Sequence, residues 1–266
     1  MALSPGVMGV INVTPDSFFP DSRVTTTEAA VARGRAYFAM GCDLVDVGGE
    51  STRPGASPVR AADEVARVRA VIEELASSGP VSVDTQKESV AREAVAAGAT
   101  VINDVSGTLV ELAGELGVGY VAMHRRGTRI DPDEEPVYDD VVGEVRAYLR
   151  AAAERARAAA VHPLWLDPGI GFNKSVAHNL ALLEECAALA ELAREYGAGL
   201  LIGTSRKRFL SRLGAEVLDV DQRFEGSLAT AAWALVNGAS MVRVHDVRAA
   251  VQLRDLLVRP LDEVGS

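Results

Sequence analysis

The sequence predicts a closed (β/α)₈ barrel, a TIM barrel, forming a single domain over residues 1–266, and three observations carry the prediction. Eight short apolar runs alternate with stretches of helical periodicity at a spacing of roughly 30 residues. The length of 266 residues suits such a barrel, which typically needs about 250. Several of the runs end on a polar residue followed by Gly or Pro, so that side chains from different strands converge on a common mouth. A doubly wound open sheet is the runner-up. No linker-like stretch divides the chain, which favours one domain.

The clearest run is Leu164-Trp165-Leu166-Asp167-Pro168-Gly169-Ile170-Gly171. It is too short for a globular helix, and the Pro and Gly residues that follow forbid its continuation, so it reads as a strand delivering Asp167 to a tight loop. The other elements follow in order. Val7 to Ile11 is a first buried strand, followed by a polar loop from Asn12 to Arg23 whose length suggests a task at the mouth. Thr27 caps a helix with Ala29, Ala30, Val31, Tyr37, Phe38 and Met40 inward, ending at Gly41. Leu44 to Val47 is the second strand and runs into Gly48-Gly49-Glu50-Ser51-Thr52-Arg53-Pro54-Gly55. Glu64 to Ala76 is helical, with Val65, Val68, Val71, Ile72 and Leu75 at three- and four-residue steps.

Strand three, Val81 to Asp84, precedes a helix from Lys87 to Ala97. Strand four, Thr100 to Asn103, precedes a short helix near Leu109 to Leu116. Strand five, Gly119 to Met123, leads to His124 and a charged loop, Arg125 to Glu135. An Ala-rich helix covers Val141 to Ala160 before the Asp167 strand, and helical periodicity returns over Val176 to Tyr196. Strand seven, Gly199 to Gly203, opens into Thr204-Ser205-Arg206-Lys207-Arg208. A helix containing Leu228, Trp233 and Leu235 precedes strand eight, Met241 to Val244, and His245-Asp246-Val247 starts the last helix.

Composition narrows the class of partner. The hydrophobic fraction of 48% supplies ample core, and 27 basic against 37 acidic residues leave a net charge of −10. Nucleic acid or an anionic membrane is therefore not the expected main partner. Cys42 and Cys186 are too few for a disulfide framework, and no Cys-x-x-Cys spacing points to zinc or redox chemistry. The start lacks a basic region with a long apolar run, and no apolar stretch is long enough to span a bilayer, so a cytoplasmic location is expected.

In these barrels ligand chemistry sits at the C-terminal ends of the strands, with phosphate sites often after strands seven and eight. Here those strands deliver Lys207, flanked by Arg206 and Arg208, which a solvated helix face would also explain, and Arg243 with His245. Arg53 in the second loop is placed to reach over the same region. Asp84, Asn103 and Asp167 end three other strands. Two buried acids near one another repel unless a ligand supplies donors or one takes a proton, and a heterocycle edge bearing N–H and NH₂ groups meets that need. Asn103 can both donate and accept. Asn12, together with a phosphate, is a candidate for holding Mg²⁺ with several waters. His124 is read as a core or supporting residue, while His162 and His178 fall in surface turns without a role.

The motifs resemble those of the dihydropteroate synthase family, and the likeness covers nearly the whole chain. It rests on eight blocks in the family's order: residues 12–18, Asp46-Val47-Gly48-Gly49-Glu50-Ser51-Thr52-Arg53-Pro54-Gly55, Ser82-Val83-Asp84-Thr85, Ile102-Asn103-Asp104-Val105-Ser106-Gly107, Met123-His124, Asp167 to Phe172, Ser205-Arg206-Lys207 and Arg243 to Val247. The resemblance implies condensation of 6-hydroxymethyl-7,8-dihydropterin pyrophosphate with p-aminobenzoate, giving 7,8-dihydropteroate and pyrophosphate in folate synthesis. It implies that Asp84, Asn103, Asp167 and Lys207 hold the pterin, that Asn12 contacts Mg²⁺, and that Thr52, Arg53, Arg243 and His245 take the pyrophosphate. Asp84, Asp167 and Lys207 are then the catalytic candidates, and Ser205 with the first two loops forms the p-aminobenzoate site. A homodimer is implied as well.

Two departures stand out. Phe19-Pro20-Asp21-Ser22-Arg23 replaces the family's usual Ser-Asp-Gly-Gly, and Arg125-Arg126 makes a loop more basic than is usual. The competing expectations are a diverged paralogue that binds a pterin without the condensation, and a pterin-dependent methyltransferase. The latter has no use for the cluster of Lys207, Arg243 and His245.

Overall fold

The computed structural model describes residues 5–14, 26–51, 58–127, 136–214 and 216–258. Within them, eight parallel strands close into a barrel in which each strand pairs with its sequence neighbours and the first pairs with the last. The strands are β1 (Gly6–Asn12), β2 (Leu44–Gly48), β3 (Val81–Asp84), β4 (Val101–Asp104), β5 (Gly119–Met123), β6 (Leu164–Asp167), β7 (Gly199–Ile202) and β8 (Met241–Val244). The helices are α1 (Thr27–Ala39), α2 (Ala61–Leu75), α3 (Glu88–Ala96), α4 (Val110–Leu116), α5 (Val141–Ala158), α6 (Val176–Glu184), α7 (Cys186–Glu195), α8 (Phe224–Val236) and α9 (Val247–Val258).

Strand alternation explains how the barrel is filled. Residues of one parity, among them Val7, Val45, Val83, Ile102, Leu166 and Ile202, belong to the large core under the helices. Those of the other parity, Met8, Leu44, Val101, Val121, Trp165, Leu201 and Met241, form a separate buried plug, as expected where successive side chains point to opposite faces of a closed sheet. Two residues further along the same strands, on the same face, stand Asp46, Asn103, Met123, Asp167, Gly203 and Arg243. An apolar floor therefore lies under a polar mouth, and the period of two puts it there.

Several boundaries differ from the sequence expectation. The cap of α1 is Thr26, whose extended backbone lets its hydroxyl accept from the Ala29 N–H, and Ala29 itself is exposed. The periodic stretch from Val176 is two helices, because the backbone of Glu185 leaves helical geometry at φ −84°, ψ 10°. There the Leu183 carbonyl accepts from the Trp233 indole at 2.8 Å, a contact between distant segments that periodicity does not carry. His178 lies in the first turn of α6, closing a capping box with Ser175, and not in a surface turn. The altered loop from Phe19 to Arg23, together with Thr52 and Arg53, lies outside the described residues.

Candidate active site

The alternation along β3, β4 and β6 brings Asp84, Asn103 and Asp167 to the barrel mouth as buried side chains. Asp104, the next residue after Asn103, faces away. Its carboxylate accepts from the backbone N–H groups of Ser106, Thr108 and Leu109 and from the Tyr120 hydroxyl. One acid of the pair is thus structural and the amide beside it faces the site, as a strand requires.

The cations reach the same mouth. Arg243 Nε donates to Asp46 Oδ2 at 2.7 Å and its Nη2 donates to Asp84 Oδ2 at 2.8 Å. Lys207 follows β7, stands over the Phe172 ring with its nitrogen 4.6 Å from the centroid, and donates to the Ile170 carbonyl. Gly171 makes room for it: at φ +81°, a Cβ there would lie 2.8 Å from Lys207 Cδ. Gly169, at φ +68°, is required still more strictly, because a Cβ would meet the His124 carbonyl oxygen at 1.8 Å. Gly171 thus leaves the space in which Lys207 lies against the β6 loop, and Gly169 lets that loop pass the His124 backbone.

Arg206 and Lys207 part company at a left-handed turn, φ +57° at Arg206. Arg206 swings to a bidentate pair with Asp246, at 3.0 and 2.6 Å, so it braces β7 against α9 instead of lining the mouth. The Ser205 hydroxyl accepts from the His245 backbone N–H at 3.1 Å and faces His245 Nδ1 at 3.0 Å. Arg208 is exposed. Of the basic run, Lys207 alone is aimed inward.

Electrostatics follow from burial. Asp84 is pushed up to about 7, chiefly by burial, with the Arg243 guanidinium pulling the other way. Burial likewise raises Asp167 against the pull of Lys207. Lys207 is pushed down to about 8 by burial, with Asp167 opposing. Arg243 rises, burial being outweighed by Asp46 and Asp84. These are groups whose charges are only partly compensated, the condition under which a polar ligand gains most from entering. Asn12, half-buried at the end of β1, has its Oδ1 3.6 Å from where a Gly48 Cβ would stand. Among the described residues no three His, Cys, Asp or Glu side chains cluster as a metal cage. A single amide oxygen in that position suits a hard ion that takes most of its ligands from substrate phosphate and water.

Three supporting groups were not legible as such. Asp46, fully buried in β2, accepts from both Asn103 and Arg243; the signal was a lone acid inside an apolar strand, two residues before Gly48 on the same face. Lys174 is buried with its ammonium 3.0 Å from His124 Nδ1 and donating to the Gly169 and Phe172 carbonyls at 3.0 and 3.2 Å. Lys87 bridges Glu50 and Glu64 at 2.5 and 2.6 Å. No sequence pattern marks these two lysines, since the side chains they meet, His124 for Lys174 and Glu50 and Glu64 for Lys87, are remote in the chain.

A barrel mouth that sets buried acceptors beside cations is the apparatus of an enzyme handling a polar heterocycle with an anionic substituent, and the pterin-binding class answers that description. The family model "Pterin binding enzyme" matches residues 8–245. The dihydropteroate synthase of Mycobacterium leprae is 46% identical, over 94% of this chain and 92% of the relative. The solved Xanthomonas albilineans dihydropteroate synthase with 4-aminobenzoic acid superposes with a TM-score of 0.84 at 43% identity, covering 97% of this chain and 94% of that one. The Burkholderia cenocepacia enzyme complexed with 7,8-dihydropteroate gives 0.81 at 37% identity, over 95% and 90%. The chain belongs to the dihydropteroate synthase family.

Proposed function

We propose that the chain condenses 6-hydroxymethyl-7,8-dihydropterin pyrophosphate with p-aminobenzoate, forming 7,8-dihydropteroate and releasing pyrophosphate, as a transferase of folate biosynthesis. The observation that carries the reading is the convergence of acids from β3 and β6 with cations that follow β7 and end β8, joined by the Arg243–Asp84 pair. The similarity to enzymes solved with 4-aminobenzoic acid and with 7,8-dihydropteroate supports it.

In this reading Asp84, Asn103, Asp167 and Lys207 hold the pterin. Asp84 and Asp167 accept from its N–H and NH₂ groups and stabilise positive charge that builds on the ring as the methylene C–O bond breaks. Arg243 and His245, with Thr52 and Arg53, receive the pyrophosphate. The Arg243 fork suits this, because Nη1 has no partner among the described residues while Nε and Nη2 are taken. Ser205 and the first two loops form the p-aminobenzoate site. The arylamine attacks the methylene carbon, the C–O electrons leave with pyrophosphate, and the amine loses a proton, so no protein nucleophile is needed. Asn12 would hold Mg²⁺ through its amide oxygen, and the ion would neutralise charge on the departing phosphates.

The assembly proposed is a homodimer in the cytoplasm. The buried free thiols of Cys42 and Cys186 fit a reducing compartment, and no helix among the described residues is long and apolar enough to cross a membrane. The deciding experiment adds both substrates with Mg²⁺ and follows pyrophosphate release. Tight pterin binding without release would reject the condensation and leave a pterin-binding paralogue.

A further inference from the structure

We propose that Asp46 is a positioning residue that fixes which way the Asn103 amide faces, and so makes Asn103 an acceptor toward the ligand. The inference rests on the pterin reading above and deepens it.

Asp46 is completely buried in the middle of β2. Its Oδ2 accepts from Asn103 Nδ2 at 2.9 Å and from Arg243 Nε at 2.7 Å. A primary amide has two nearly isosteric ends, one a donor and one an acceptor, and its orientation is set by its partners. A carboxylate only accepts. Against Asp46 the amide must therefore present its NH₂, and Arg243, committed to the same oxygen, holds that oxygen in place. The consequence is at the other end of the group: Asn103 Oδ1 accepts from no described residue, and at the end of β4 it stands in register with Asp84. Together with Asp84 and Asp167 it completes three acceptors at the mouth.

A pocket of three acceptors selects a ring edge that donates. With the amide reversed, an NH₂ group would confront the same edge, and a buried donor facing a donor is both repelled and left unsatisfied. Asp46 touches no substrate in this reading; its effect is transmitted through Asn103.

The test uses the full-length chain and 6-hydroxymethylpterin, which has no phosphate, so that the role of Arg243 toward pyrophosphate does not enter. Asp46→Leu removes the acceptor while keeping the volume similar, and calorimetry is expected to read a loss of affinity of about tenfold or more, one hydrogen bond of ordinary strength together with its reversal penalty. Adding Asn103→Asp to that variant supplies an acceptor whichever way the side chain turns once the carboxyl is ionised, so with binding measured at about pH 9, above the Asp84 titration at about 7, it is expected to restore affinity to within about threefold of wild type. A merely structural role for Asp46 predicts no such rescue. The inference is overturned if Asp46→Leu binds like wild type, or if the double variant binds no better than the single one. Should Asp46→Leu fail to fold, a neutron structure of the wild-type chain with the same probe decides: Asn103 Nδ2 against the ring and Oδ1 toward Asp46 would overturn it. Wild-type protein that does not take up the probe would overturn the pterin reading and this inference with it, whereas a binding wild type with an indifferent variant overturns this inference alone.

Discussion

Lys174 illustrates how a single side chain is tuned by its surroundings. Its ammonium meets the His124 imidazole and three carbonyls but no carboxylate at bonding distance, and burial pushes it down to about 7, with Asp167 opposing. A lysine whose folded pKa lies below its unfolded value carries a penalty that is complete below about 7 and relieved as pH rises toward the unfolded value of about 10.4. Wild-type stability should therefore gain on Lys174→Met between pH 7 and 10, by at most about 1.4 kcal/mol per pH unit; parallel urea titrations across that range check it. Asp84 behaves with the opposite sign. Its folded pKa, about 7, lies above the unfolded one, so folding disfavours the carboxylate that the proposed pterin contact calls on. Affinity for 6-hydroxymethylpterin should tighten as pH rises through about 7 and then level off, and Asp84→Asn should abolish that rise. Lys207→Ala and Arg243→Ala should each weaken binding of the pterin pyrophosphate by about 1.5–3 kcal/mol, as for hydrogen bonds to charged groups; unchanged affinity by calorimetry would refute their placement. Asp84 and Asp167 were legible because an acid that closes an apolar strand has two main uses, facing a ligand at the mouth or capping the next helix, and two such acids with an amide favour the first. Lys174 was not, since a lysine in a loop is ordinarily solvated, and only the fold sets it against the β5 end.

Between strands and helices, the joint formed by Glu50, Glu64, Thr85 and Lys87 locks the β2–α2 and β3–α3 connections together. Glu64, fully buried in α2, accepts from the Thr85 hydroxyl at 2.6 Å and from Lys87, and Glu50 accepts from Lys87 and from the Val59 backbone N–H at 2.8 Å. Lys87 thereby ties the ends of β2 and β3 to α2 and the start of α3. Lys87→Met strands the Glu64 carboxylate without its cation. The expected cost is about 3 kcal/mol, the low end for breaking a buried pair because the Lys87 side chain retains 25% exposure; chemical denaturation measures it, and a loss below about 1 kcal/mol would mean the joint is solvated like a surface pair. The helical stripe of Val68, Val71, Ile72 and Leu75 was readable from its spacing, whereas Glu64 at the head of the same stripe was not, because periodicity assigns acids to the outer face. The strands were read almost to the residue for a related reason: each is short, apolar and bounded by turn-forming residues. The division between α6 and α7 falls where the Leu183 carbonyl accepts from Trp233 of α8, a contact that local periodicity does not carry.

At the scale of the whole molecule, a barrel encloses its own plug and turns a broad ring of helices outward. Most of that ring is polar, but α8 presents Trp233 at 51% and Val236 at 68% exposure, and Leu180 on the adjoining α6 is 39% exposed. Single apolar residues scattered over a surface are ordinary. Here, however, the Trp233 indole is anchored on the Leu183 carbonyl of α6, so a rigid aromatic is fixed across two packed helices that also expose Val236 and Leu180, the kind of anchor on which interfaces are built. The proposed homodimer should use this face. A two-fold axis would set α8 against its own copy, doubling every contact, including any repulsion. Val236→Asp is the cleaner probe, since Trp233 also serves its own chain through the indole N–H and its loss would disturb the α6–α8 packing. A carboxylate at 236 would face its symmetry mate's on a protein already at −10. Sedimentation equilibrium of the wild type should give twice the 28.0 kDa of the chain, and Val236→Asp should move it to the monomer with the thermal transition little changed. A variant that stays dimeric would place the interface elsewhere on the helix ring.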